Sequence, residues 1–344
     1  MTKTKVAING FGRIGRITLR AMLNRENIEV VAINDIIAPE ILAHLFKYDS
    51  VHGIYDGSVS TKDGYLYISS CCCSSQQAGS SNGHKVKILC ERSPANLPWG
   101  ELGVDIVIDS TGLFRDEKSA GEHIQAGAKK VIISAPPSGG NIKSVVIGVS
   151  EDTLTGDEKI ISNASCTTNC AAPMVKILDE NWGIESGYIT TIHAYTGDQN
   201  LIDAPHKDLR RARAAANSII PTSTGAAKAI TKIFPHLEGK MGGSALRVPV
   251  INGSVTDITC SIKKDASVEE INNAFKQAAE NNMKGILEYT EDPIVSVDII
   301  GNSHSCIFDS QLTSVLGRMV KVIGWYDNEM GYSMRISELV GKIA

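Results

Sequence analysis

Up to Cys166 the apolar positions fall into short runs separated by stretches of helical spacing. Lys5-Val6-Ala7-Ile8-Asn9 reads as a strand, and Ile14, Ile17, Leu19, Met22 and Leu23 are the apolar positions of a following helix. A second apolar strand runs from Ile28 to Ile33 and ends in Asn34-Asp35. A helical run from Ile41 to Tyr48, a hairpin signal at Lys62-Asp63-Gly64 and a strand over Tyr65–Ile68 come next. Further strands are predicted at Lys85–Cys90, within Asp105–Gly112, at Lys130–Ala135 and at Lys159–Ile161. Apolar strands alternating with helical runs predict an α/β fold built on a doubly wound, mostly parallel sheet.

Past Cys166 the rhythm changes. Met174, Ile177 and Leu178 share one side of a helix, and a β-rich run spans Ser186–Thr196. A long loop extends from Gly197 to Pro221, and Thr222–Lys228 turns into another helix. Strands are predicted around Leu246–Pro249, over Ser254–Ile262, Val295–Ile299, Ile307–Leu316 and Met319–Tyr326, with one long helix, Val268–Asn282, among them. Strands in succession predict an α+β half with a mainly antiparallel sheet. Ile336, Leu339, Val340 and Ile343 mark one face of a last helix.

Composition narrows the function classes. The chain has 344 residues, 42% hydrophobic and 21% charged, which suits two globular domains. A formal net charge of −4 argues against a protein built to hold nucleic acid. No apolar run is long enough for a membrane span, and the start runs directly into a strand pattern, so a cytoplasmic location is expected. The eight cysteines do not read as a disulfide framework. Three of them, Cys71–Cys73, lie in an uncharged, low-complexity stretch, Ser69–Ser81; adjacent cysteines converge poorly on one ion, and no metal site is expected.

Two motifs carry chemistry. Gly10-Phe11-Gly12-Arg13-Ile14-Gly15 joins a strand to a helix, and Asp35 closes the next strand. Gly10 permits the tight turn, Gly12 lets a pyrophosphate reach the backbone, and Gly15 allows helix and strand to touch. Dinucleotide binding is the expectation. Asp35 can accept from both ribose hydroxyls and would repel a 2′-phosphate, which favours NAD over NADP. The second motif is Ser162-Asn163-Ala164-Ser165-Cys166-Thr167-Thr168-Asn169-Cys170, at a strand-to-helix junction. A helix N-terminus stabilises a thiolate by up to about 2 kcal/mol, enough only to bring a thiol near neutrality. Cys166 therefore needs a cationic partner, and His193, at the end of the Ser186–Thr196 strand, is the candidate; Cys170 reads as a small buried hydrophobe. Arg247, alone in an apolar strand, calls for an anion.

The nine residues from Ser162 to Cys170 resemble the active-site signature of phosphorylating glyceraldehyde-3-phosphate dehydrogenases, and His193-Ala194-Tyr195-Thr196-Gly197-Asp198-Gln199 follows the family's second motif. The resemblance implies a Rossmann-type NAD-binding domain over 1–163, a catalytic domain over 164–328, and a helix over 329–344 that docks back on the first. It implies that Cys166 and His193 are catalytic, and that Asn9, Gly10, Gly12, Arg13, Ile14, Asp35, Arg92, Thr111, Phe114, Ser134 and Asn328 approach NAD. Thr196 and Arg247 would hold the phosphate of glyceraldehyde 3-phosphate. Ser165, Thr167, Arg211, Thr224 and Gly225 would hold the attacking inorganic phosphate. A homotetramer is expected on the same basis. The chain departs from the family at Ser69–Ser81, an apparent loop insertion, and at Ala204-Pro205, where NAD-linked members carry Leu-Pro. Two readings compete: an erythrose-4-phosphate dehydrogenase, and an NAD-binding interaction protein using the insertion and Arg210, Arg211 and Arg213.

Overall fold

The computed structural model describes residues 3–70 and 83–344, and the chain falls into two units. The cysteine-rich part of the expected insertion lies outside the described residues. The first unit comprises Met1–Lys143, Thr155–Asn163 and Ile336–Ala344. Its sheet is ordered around Thr4–Asn9, which pairs in parallel with Ile28–Asn34 on one side and Ile106–Asp109 on the other. Parallel pairing continues outward to Gly83–Leu89, and through Lys130–Ile133 to Ile160–Ser162. Beyond Gly83–Leu89 the hairpin Gly57–Lys62/Tyr65–Ser70 adds antiparallel strands. Val6, Ala7, Ile8, Val107 and Ile108 are fully buried, as central strands covered on both faces must be. The flanking helix Glu117–Gln125 begins in a capping box, Asp116 accepting from Ser119 N–H while the Ser119 side chain serves Asp116.

The second unit comprises Ser144–Leu154 and Ala164–Arg335. Its sheet runs Ile220–Thr222, Met241–Val248, Ile184–Ala194, Ser254–Ile262, Met319–Tyr326, Cys306–Asp309, Leu287–Thr290. Most neighbours are antiparallel, with two parallel exceptions: Ile184–Ala194 beside Met241–Val248, and Leu287–Thr290 beside Cys306–Asp309. In Ser254–Ile262 every second residue is buried, the period of a strand packed on one face. The helices Cys166–Trp182 and Val268–Glu280 pack on this unit's strands, and Phe275 of the second helix stacks on Phe308 with ring centroids 3.8 Å apart.

Two expectations need correction. Val295–Ile299 is a turn rather than a strand, with Val295 and Val297 largely exposed. Ile307–Leu316 is two strands broken by a 3-10 turn over Ser310–Leu312, where Asp309 accepts from Gln311 N–H. The strand Leu287–Thr290 was not predicted, because only its two end residues are well buried and it lacks a β-branched run.

Candidate active site and cofactor cavity

In the first unit the strand Thr4–Asn9 ends at Gly10, whose φ of +88° favours glycine. A Cβ there would also come within 2.8 Å of the Thr111 amide nitrogen. At Gly15 a Cβ would sit 2.2 Å from the Gly10 carbonyl oxygen, so strand and helix touch backbone to backbone. At Gly12 nothing lies within 4 Å, and a phosphate has room to reach the start of the helix Arg13–Met22. Asp35 is held in place: its carboxylate accepts from Phe11 N–H at 2.8 Å and Ile37 N–H at 3.1 Å. Gly10, Gly12 and Asp35 border a cavity of about 320 Å³.

In the second unit Ser165 caps the helix Cys166–Trp182, its hydroxyl accepting from Thr168 N–H at 3.0 Å. Cys166 is thus the first helical residue. Its Sγ lies 3.4 Å from Nε2 of His193. The other ring nitrogen, Nδ1, is 2.7 Å from the Ala194 carbonyl oxygen, which can only accept. Nδ1 therefore carries the proton and Nε2 turns a lone pair toward the sulfur. Arg247 stands directly opposite His193 on the neighbouring strand, which places both side chains on one face of the sheet. Its guanidinium donates to the same Ala194 carbonyl at 3.1 Å and to the Thr196 hydroxyl at 2.8 Å. Tyr326 meets the His193 ring edge-on at 5.9 Å and shares a hydrogen bond of 2.9 Å with the Thr167 hydroxyl.

Electrostatics bind the pair together. Burial pushes the Cys166 thiol up, against the pull of Arg247 and of the Thr167 N–H. Burial, helped by Arg247, pushes His193 down to about 3, against the pull of the Ala194 carbonyl. Taken singly, each group is neutral at rest. Moving the thiol proton to Nε2 creates opposite charges in contact, so each ion compensates the other and the two titrate as a unit. The helix N-terminus and Arg247 favour the sulfur anion; neither favours a lone imidazolium.

Residues 4–117 match the family profile described as glyceraldehyde 3-phosphate dehydrogenase, NAD binding domain, and residues 165–328 match the one described as its C-terminal domain. The chain belongs to the glyceraldehyde-3-phosphate dehydrogenase family. It is 55% identical to the glyceraldehyde-3-phosphate dehydrogenase of Mycobacterium avium, over 98% of each chain. It is 51% identical to that of Clostridium pasteurianum over 99% of each, and 52% identical to that of Geobacillus stearothermophilus over 99% of this chain and 98% of the relative. NAD is the cofactor of the family's N-terminal domain, and the cavity suits it: a close backbone approach at Gly10 and Gly12, and a fixed carboxylate at Asp35.

Asn9, Gly10, Gly12, Asp35, Arg92, Thr111 and Phe114 all line that cavity. So do Asn34, Glu91, Ser110 and Leu113, which the sequence reading did not single out. Each adjoins a chosen residue, and a site built from strand ends recruits short peptides rather than single letters. Arg13, Ile14 and Ser134 are not among the lining residues; the Arg13 guanidinium pairs with Asp49 at 2.6 Å. In the second unit Cys166 meets His193, and the Ala194 carbonyl that takes the His193 Nδ1 proton also accepts from Arg247, which donates in turn to Thr196. Asp198 also belongs here, accepting from the Thr196 hydroxyl and pairing with Arg211, which in turn donates to Thr222 at 2.9 Å. Its position in the loop after His193 was the available signal. The Ser165 and Thr167 hydroxyls have structural partners, Thr168 and Tyr326. The Thr224 hydroxyl accepts from Ala226 N–H at 3.1 Å, and Gly225 is the N-cap of the helix Ala226–Ile233. Asn328 is buried, its amide oxygen accepting from the Ser254 hydroxyl at 2.7 Å. Among the described residues no group of three or more His, Cys, Asp or Glu could hold a metal, and no helix is long and apolar enough to cross a membrane.

Proposed function

We propose that the chain oxidises D-glyceraldehyde 3-phosphate with NAD and inorganic phosphate, reversibly, to 1,3-bisphosphoglycerate. The observation that carries this reading is the Cys166–His193 contact with Arg247 alongside, in a chain of this family. When bound, NAD supplies the hydride acceptor. Cys166 gives its proton to Nε2 and attacks the aldehyde carbon, and the proton passes to the new alkoxide to leave a hemithioacetal. His193 then takes that hydroxyl proton as the hydride departs, and a thioester remains. A phosphate oxygen adds to the thioester carbonyl and the sulfur leaves as thiolate, stabilised again by His193.

Thr196 and Arg247 are assigned to the substrate phosphate. Arg247 donates to neutral oxygens at 3.1 Å and 2.8 Å, and burial holds its pKa below the usual value, so a dianion would relieve a partly desolvated cation. Arg247→Leu is expected to raise KM for glyceraldehyde 3-phosphate by about 10- to 100-fold. Unphosphorylated glyceraldehyde should lose less, since a less favoured thiolate costs both aldehydes alike, and an equal loss with both would remove Arg247 from this role. The attacking phosphate is assigned to Arg211, Thr224, Gly225 and the backbone amides near Ser165 and Thr167, since those two hydroxyls are already engaged.

Asp35, with the Arg13 and Ile14 amides at the helix start, Ser134 and Asn328, completes the cofactor assignment. Asp35→Ser should raise KM for NAD about tenfold and admit NADP, measured by initial rates with each; unchanged preference would mean the selectivity lies elsewhere. The division into 1–163 and 164–328, with 329–344 returning to the first, belongs to this reading. So do a cytoplasmic location and a homotetramer, which would cover the exposed Leu201, Ile202, Leu209 and Ile219. NADH formation with glyceraldehyde 3-phosphate and with erythrose 4-phosphate, each with and without phosphate, tests the reaction. Phosphate-independent turnover of the four-carbon aldehyde would overturn it.

A further inference from the structure

A line of buried polar side chains crosses the first unit's sheet immediately beneath the cofactor cavity. Asn9 is in register with Asn34 on one neighbouring strand and with Asp109 on the other, so three polar residues stand side by side at the strand ends. All three are nearly or fully buried. The Asn34 amide donates to the Asn9 side-chain oxygen at 2.7 Å, and the Asn9 amide donates to Asp109 Oδ2 at 2.8 Å. At one end Asn34 clamps the Glu91 backbone, accepting from its N–H and donating to its carbonyl, both at 2.9 Å. At the other end stands His123, fully buried.

The His123 tautomer follows from its neighbour. Trp99 Nε1–H can only donate, and it lies 3.0 Å from His123 Nδ1, so that nitrogen bears no proton. Nε2 therefore carries it and donates to Asp109 Oδ2 at 3.1 Å. The other carboxylate oxygen, Oδ1, accepts from the Thr111 N–H at 3.1 Å and hydroxyl at 2.7 Å. The Thr111 hydroxyl in turn accepts from Leu113 N–H at 3.1 Å. Asp109 thus gathers four donors: one from Asn9 and two from Thr111, wall residues whose bonds run on to Asn34, Glu91 and Leu113, and one from His123, which lies behind the wall. His123 also meets Phe114, another wall residue, edge-on at 6.2 Å.

None of the steps assigned to this site uses Asp109 or His123. A buried carboxylate is costly unless fully hydrogen-bonded, and here three of its four donors belong to the wall of the cavity itself. We propose that Asp109, with His123 fixing its orientation, is a positioning residue for NAD, holding the cavity wall in its binding shape without touching the cofactor. This rests on the cavity being the NAD site.

Asp109→Asn presents an NH2 where two donors now converge, and must lose one side of the network. His123→Phe keeps the ring volume but removes the hydrogen bonds to Asp109 and Trp99. Each is expected to weaken NAD binding about tenfold, read as Kd by titration and as KM for NAD. With saturating NAD, kcat and KM for the aldehyde should stay within about twofold of the parent. Thermal melting of each variant reports folding separately. Unchanged Kd in a variant with lowered melting temperature would make the network a stability element and overturn the proposal. A fall in kcat at saturating NAD, with Kd unaltered, would overturn it equally. If the parent protein fails to bind NAD, the fault lies with the cofactor assignment instead.

Discussion

Replacing Cys166 by serine is expected to cut aldehyde oxidation by at least about a thousandfold while leaving NAD affinity within about twofold. The hydroxyl titrates far above any thiol, and His193, pushed down to about 3, is too weak a base to ionise it. Cys166 is not among the residues lining the cofactor cavity, and serine differs from it only by oxygen for sulfur, so NAD affinity is expected to hold. Neighbouring Cys170 cannot stand in, being fully buried with its thiol directed to the Gly324 carbonyl oxygen. Stopped activity with intact NAD binding is the expected result by coupled assay and equilibrium titration. Turnover above about one per cent would place the nucleophile elsewhere.

His193→Asn should lower kcat by about a hundred- to ten-thousandfold, since in the proposed reaction the same imidazole receives the thiol proton and later the hydroxyl proton. It should also change the reactivity of Cys166 itself. Without a partner for its proton the buried thiol loses the ion-pair state, so alkylation by iodoacetamide should slow at neutral pH and its midpoint move upward. An unaltered alkylation profile would mean that Cys166 ionises without help. Stability carries a second signature. The unfolded chain protonates His193 below about pH 6.5, whereas the folded chain does so only near 3, so the wild-type fold loses stability as pH falls through that window. The asparagine variant should lose less over the same range in denaturant titrations at successive pH values.

Much of this was legible in the chain. The glycine turn, Asp35 and the nine residues around Cys166 each state a local physical requirement: a backbone approach, a ribose carboxylate, a thiol at a helix start. The histidine was found because a lone dipole could not complete the activation of Cys166. Geometry that depends on pairing was not legible. That His193 and Arg247 face each other is a matter of strand register between segments far apart in sequence, and register leaves no local mark. Asp198 and Tyr326 were passed over because their roles lie in what they touch. The same holds for Asp109, His123 and Trp99, which carry no local motif and are joined only by the network. The missed strand Leu287–Thr290 and the false one at Val295–Ile299 show the converse: a few apolar letters cannot tell an edge strand from an exposed turn.

The imidazole and the guanidinium occupy rungs of one backbone ladder, whereas Thr196, Asp198 and Arg211 hang from the connection that follows. An engineer could therefore exchange that connection to admit differently shaped acidic tails while the reacting centre keeps its spacing. Shifting either rung by a single position would turn it to the sheet's reverse side. Diversification of substrate choice is cheap in this architecture, and drift in the chemistry is not.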